Sequence, residues 1–193
     1  MPVPFHAVST RFLGNIASPI PSASPLDTVK ALWGGELPEF DSLDAVNELL
    51  AVLVMGLWNR LTRHQERSAP FRLVRAEIPE SRAGLVRVAF IRREELDGFV
   101  EGLFGIEQSL ELPERAHRAL DVLSELRAIF DGLHELAGNL TKPVTADDIA
   151  QTRRYIREVT KVGEREIHEV VLSCTRARRQ LLNSMPTTKP TRH

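Results

Sequence analysis

The chain has 193 residues, room for one domain of about 150 residues with appendages, and its 42% apolar and 26% charged residues match a globular protein rather than a disordered or fibrous one. Its single cysteine, Cys174, excludes an internal disulfide and a multi-cysteine zinc site, and its longest apolar run, Leu49 to Trp58, is too short to cross a bilayer. The net charge of −1 conceals a polarity, because residues 151–193 carry ten Lys/Arg against four Asp/Glu while the first 150 carry 15 against 22.

Residues 1–24 have prolines at 2, 4, 19 and 21 and neither a basic start nor a sustained apolar block. They read as an irregular arm and not as a signal peptide, so a cytoplasmic location is the default expectation. Ser24-Pro25-Leu26-Asp27 puts a capping serine before a proline at the first helical position, which predicts a short helix up to Gly34-Gly35. From Leu43 to about Gln65, Val46, Leu49, Leu50, Leu53, Leu57 and Leu61 make one apolar face while Val52 and Met55 fill another. That pattern predicts a helix buried at the centre of a bundle. Asn59 continues the second face and is expected to bury its amide against the backbone of a neighbouring irregular segment. With Trp58 it either completes the core or borders a pocket for a partner peptide.

Over about 71–91, Phe71, Leu73, Ala76 and Ile78, then Val86, Val88 and Phe90, alternate around Pro79 and Gly84, which reads as a short β-hairpin or an extended loop. Helix resumes at Arg92 with the stripe Leu96, Phe99, Val100, Leu103. Gly98 and Gly102 on adjoining turns are tolerated best where another backbone packs closely. After Pro113, Ala116, Ala119, Leu123, Leu126, Phe130, Leu133, Ala137 and Leu140 form a helix-packing seam. Thr145 with Asp148 is a capping box, and the helix it starts has room to run to about Asn183, roughly 57 Å. Its seam is Ile156, Val159, Gly163, Ile167, Val170, Cys174, Ala177 and Leu181, and its far half is expected to project or to pair with a second copy. The fold class expected is therefore mainly α. A helical bundle over 25–140 is followed by a long basic helix over 141–184 packed on it and a disordered tail over 185–193.

Three patches carry a family resemblance. Leu32-Trp33-Gly34-Gly35-Glu36 with Pro38 and Phe40, then LLAVLVMGLWNRL with Met55, Trp58 and Asn59, then LDGFVEGLFG with Gly98, Phe99 and Gly102, resemble the YecA-like family of uncharacterised bacterial proteins over about residues 26–140. The resemblance implies an all-α or nearly all-α fold and no established reaction. The cysteine-rich metal-binding tail of many members is absent, so no metal role carries over and no cofactor is expected.

Glu114 with His117, and Asp131 with His134, place a carboxylate and an imidazole three apart on one helix, the spacing of helical di-metal sites. Both histidines sit one position off the core seam, and the facing carboxylates such a site requires are not evident. Glu164 and His168 read as an exposed pair, and Cys174 as a core residue. No nucleophile elbow, P-loop or dinucleotide fingerprint is present. Arg154, Arg157, Lys161, Arg165, His168, Arg176 and Arg179 recur at threes and fours nearly opposite the apolar seam. This stripe is a solvated face or the site of an acidic protein partner, with nucleic acid less favoured because only Tyr155 interleaves it. A non-enzymatic interaction module, binding a protein partner or a second copy, is the reading ahead of a metal-carboxylate protein or a weak RNA binder.

Overall fold

Helix begins at Phe5, directly after Pro4, and runs to Ala17, where the Ser18 N–H closes on the carbonyls of Gly14 and Asn15. The computed structural model describes residues 3–20, 24–77, 79–105, 107, 109–141 and 143–184. This first helix, α1 (Phe5–Ala17), lies where an irregular arm is expected. The prolines bracket it instead of breaking it, which suits a residue with fixed φ and no N–H. Val8, Phe12, Leu13 and Ile16 are buried, so the expected appendage is part of the core.

The partner of α1 is α5 (Arg82–Phe104), and glycines set the distance between them. A β-carbon at Gly98 would come within 2.8 Å of the Ala7 carbonyl oxygen, and one at Gly102 within 2.7 Å of the Arg11 carbonyl carbon. From the other side, a β-carbon at Gly14 would come within 2.7 Å of the Leu103 nitrogen. The two backbones are therefore in direct contact, which compensates the roughly 1 kcal/mol that each helical glycine costs relative to alanine.

No strand occurs among the described residues, and the expected hairpin over 71–91 is replaced by an extended segment followed by the first turns of α5. Ser81 accepts a hydrogen bond from the Gly84 N–H at 3.1 Å and so starts the helix ten residues before Arg92. Leu85, Val88, Ala89, Arg92, Leu96, Phe99 and Leu103 are buried at threes and fours, a helical period that the alternation of Val86, Val88 and Phe90 concealed. Ile78 lies outside the described residues.

Two long helices complete the bundle. Helix α6 (Glu114–Gly138) buries Ala116, Ala119, Leu123, Leu126 and Phe130, while Leu140, expected on the same seam, lies beyond the helix and is exposed. Helix α7 (Ala146–Ser184) starts at the expected capping box, in which Asp148 accepts from the Thr145 N–H at 2.9 Å and the Asp148 N–H donates to the Thr145 hydroxyl at 3.1 Å. Its far half does not project. Ile167, Val170, Val171 and Cys174 are fully buried, and burial continues to Thr175, partly against α1. Only the last turns, with Leu181 and Leu182, are exposed, which removes the reason for expecting a second copy along this seam.

The helix expected at the centre is on the outside. After α2 (Pro25–Ala31), α3 (Leu43–Leu50) passes into a π-helical stretch, Ala51–Trp58, then α4 (Asn59–Leu61) and a 3₁₀ turn, Thr62–Gln65. Leu57 and Leu61 are buried and Trp58 packs edge-on against Phe12 at 5.9 Å, but Val52 is 61% and Met55 69% exposed. Since α1 already occupies the glycine-lined face of α5, this segment covers the bundle from one side only.

Two arginines that the sequence did not single out tie helix ends together. Arg178 donates to the carbonyls of Ile16 at 3.0 Å and Ser18 at 3.1 Å, and Arg82 donates to those of Ala137 at 2.6 Å and Asn139. Each places a cation on carbonyls that the end of a helix leaves without partners.

Candidate functional site

Asn59 is exposed, contrary to the expectation of a buried clamp, and its carbonyl accepts from the Thr62 hydroxyl at 2.8 Å. The expected clamp exists with other residues. Glu95, fully buried, accepts from the Val74 N–H at 2.9 Å and from Arg92, while Arg92 also donates to the Val74 carbonyl at 3.0 Å and to the Thr160 hydroxyl at 3.3 Å. Glu164 accepts from the Leu73 N–H at 3.1 Å and from Arg72 at 2.6 Å. Side chains from α5 and α7 thus take the backbone partners that a strand would have supplied, and hold residues 71–76 extended with Phe71 and Leu73 buried. Burial pushes the Glu95 carboxyl above its ordinary value, opposed by Arg92 and the Val74 N–H.

Glu164 is therefore not one of an exposed pair with His168. His168 is half-buried, and neither ring nitrogen makes a hydrogen bond of normal geometry among the described residues, the Arg67 backbone being near enough only to oppose the shift in its pKa. Burial, reinforced by nearby His64, holds its pKa below the ordinary value. Cys174 is fully buried, and burial pushes its thiol up to about 12, which leaves it an inert core residue as expected.

The four metal candidates are not brought together. Glu114 pairs with Arg118 at 3.3 Å, Asp131 with Arg93 at 2.7 Å, and His134 places Nδ1 3.2 Å from the Val86 carbonyl. The hydrogen bond from Arg93 holds the Asp131 carboxyl below its ordinary value. Residues 117 and 134 are about 25 Å apart along α6. Among the described residues no group of three or more His, Cys, Asp or Glu could hold a metal ion.

Two surfaces remain. The first is the outer face of α3 and the π-helical stretch, where Ala51, Val52, Met55 and Gly56 are exposed on either side of half-buried Leu53 and Val54, and Leu43 is 75% exposed. Trp33 and Leu26 are also exposed, Phe40 is half-buried, and Gly98, Phe99 and Gly102 serve the α1–α5 crossing instead. Between Lys30 and Arg60 there is no Lys or Arg, while Glu36, Glu39, Asp41, Asp44 and Glu48 are all exposed. Nothing in the sequence separated this face from a core helix, because an apolar run reads alike in both.

The second surface is α7, where Arg154, Arg157, Lys161, Arg165, Arg176 and Arg179 are exposed as expected. Lys161 pairs with Glu158 and Arg165 with Glu166. No described helix is long and apolar enough to cross a membrane. In comparisons with known proteins, no family model, curated protein or solved structure matches this chain.

Proposed function

We propose that the chain is a non-enzymatic docking module that holds an amphipathic helix of a partner protein on the outer face of Ala51–Gly56. The observation that carries this reading is the exposure of Val52 and Met55 in the most apolar run of the chain. Burying such side chains gains roughly 1.5–3 kcal/mol each, which this fold leaves unrealised. Ala51 and Gly56 beside them leave room for a second backbone. Methionine adapts to varied apolar partners, and π-helical turns recur at functional sites. The resemblance to YecA-like proteins is compatible with a helical module and adds no reaction.

Five exposed acids precede this face in the chain, and Asp44 and Glu48 share the Val52 side of the helix at four-residue spacing, which selects the charge of the occupant. A helix with an apolar stripe flanked by Lys or Arg meets complementary potential, whereas an acidic helix or an anionic lipid surface meets repulsion. Two synthetic helices of about 18 residues, with one apolar stripe and either a lysine-rich or a glutamate-rich polar face, test this directly. Fluorescence anisotropy is expected to show saturable binding of the lysine-rich helix, lost on Val52→Asp with Met55→Asp while the melting temperature holds. Equal binding of both helices, or of neither, would reject the reading.

A further inference from the structure

We propose a second, separate site: the cleft between residues 73–77 and the first half of α7 binds a small phosphate-bearing ligand. The cleft is half-open to solvent and has a volume of about 620 Å³, within the range of roughly 300–1,000 Å³ usual for small-molecule sites. Arg153, Arg157 and Lys161 line it from α7, Arg75 from the opposite wall, and Arg92 from α5. The three α7 residues are four apart and so share one helix face, and Arg75 directly follows Val74, whose N–H and carbonyl are both bonded to α5. The two cationic walls are thus held at a fixed separation before any ligand arrives, which reduces the entropy lost on binding.

The bonding of these groups shows which are available. Arg92 uses its donors on Glu95, Val74 and Thr160, but it leaves the Thr160 hydroxyl proton free to donate. Arg75 and Arg157 make no hydrogen bond or ion pair among the described residues. The Nε of Arg153 is buried without a partner among the described residues, while its Nη1 reaches the exposed Glu80. Among the described residues Lys161 is held only by exposed Glu158. Of the two acids lining the cleft, Glu164 is engaged by Arg72 and the Leu73 N–H, which leaves Glu77 on the exposed rim. Guanidinium groups converging from two walls match the several oxygens of a phosphate, where a lone carboxylate offers two. The absence of aromatics other than Tyr155 along the stripe disfavours a nucleic-acid strand.

Inorganic pyrophosphate is the probe, titrated calorimetrically into the full chain at constant ionic strength. Saturable one-to-one binding is expected. It should weaken about tenfold or more in Arg75→Gln with Arg157→Gln, tighten in Glu77→Gln, and stay unchanged in Arg165→Gln with Arg179→Gln, which lie on the helix outside the cleft. All these side chains are exposed, and thermal melts confirm that each variant folds. The proposal is overturned by no saturable heat up to about 10 mM, by undiminished binding without Arg75 and Arg157, or by equal loss without Arg165 and Arg179. Succinate binding as tightly would replace phosphate by general anion binding and overturn it too. So would a single-stranded oligonucleotide that binds where pyrophosphate does not, because the open stripe would then be the site.

Discussion

Gly102 and Gly132 both lie within helices, and they have opposite roles. A β-carbon at Gly102 would collide with the backbone of Arg11, whereas one at Gly132 would meet nothing within 4 Å. Gly102→Ala is expected to destabilise by about 1–3 kcal/mol despite its better helix propensity, and Gly132→Ala to stabilise by up to about 1 kcal/mol. Urea unfolding of the two variants measures both signs, and destabilisation by Gly132→Ala or tolerance of Gly102→Ala would contradict the crossing. Close packing at Gly98 and Gly102 was legible in the sequence, because two glycines on adjoining turns need a reason. Asn59 was misread, since its period placed it on a face that the fold leaves in solvent. His168 supplies a pH test. Its folded pKa is depressed by burial, so below about pH 6.5 the unfolded chain takes up a proton that the folded chain resists. The stability it contributes is present above that pH and is lost as pH falls through the depressed value. His168→Gln is expected to flatten the fall in melting temperature as pH drops below about 6.5, and an unchanged profile would count against the effect.

At the scale of elements, α6 was readable from its seam, which buries Ala116, Ala119, Leu123, Leu126 and Phe130, and α7 from seam and cap together: Thr145 and Asp148 bond as their spacing predicts, and Ile156 to Cys174 bury as their period predicts. The first helix was hidden by its flanking prolines, which mark its ends, and the start of α5 by a valine alternation that a helix also accommodates. The extended segment over 71–76 could not be placed from sequence, since its partners are Glu95 and Glu164, distant in the chain. Its dependence on them is testable. Glu95→Leu strands the buried Arg92 guanidinium and the Val74 N–H and is expected to cost about 3–5 kcal/mol in urea unfolding. Adding Arg92→Met should recover much of that loss, because it removes the uncompensated charge. A double variant as unstable as the single one would assign the loss to the missing Val74 bonds rather than to the stranded charge, and an unchanged stability of Glu95→Leu would show that Phe71 and Leu73 alone hold the segment.

Across the whole molecule, charge and exposed apolar surface are segregated. Residues 36–56 present five exposed acids and then uncovered apolar residues, while α7, itself part of the bundle with α1, α5 and α6, presents six exposed cations. A single chain with this distribution presents two surfaces of opposite sign, and the composition recorded only their near-cancellation in the net charge. Crosslinking from the apolar face tests its role most directly. With a photoreactive amino acid at position 55, irradiation of a cell extract and sequencing of the crosslinked peptide should yield one helix-forming segment with an apolar stripe flanked by Lys or Arg, absent when the same group is placed at exposed Gln180. Adducts that are identical from both positions, confined to lipid, or dominated by acidic segments would contradict the account.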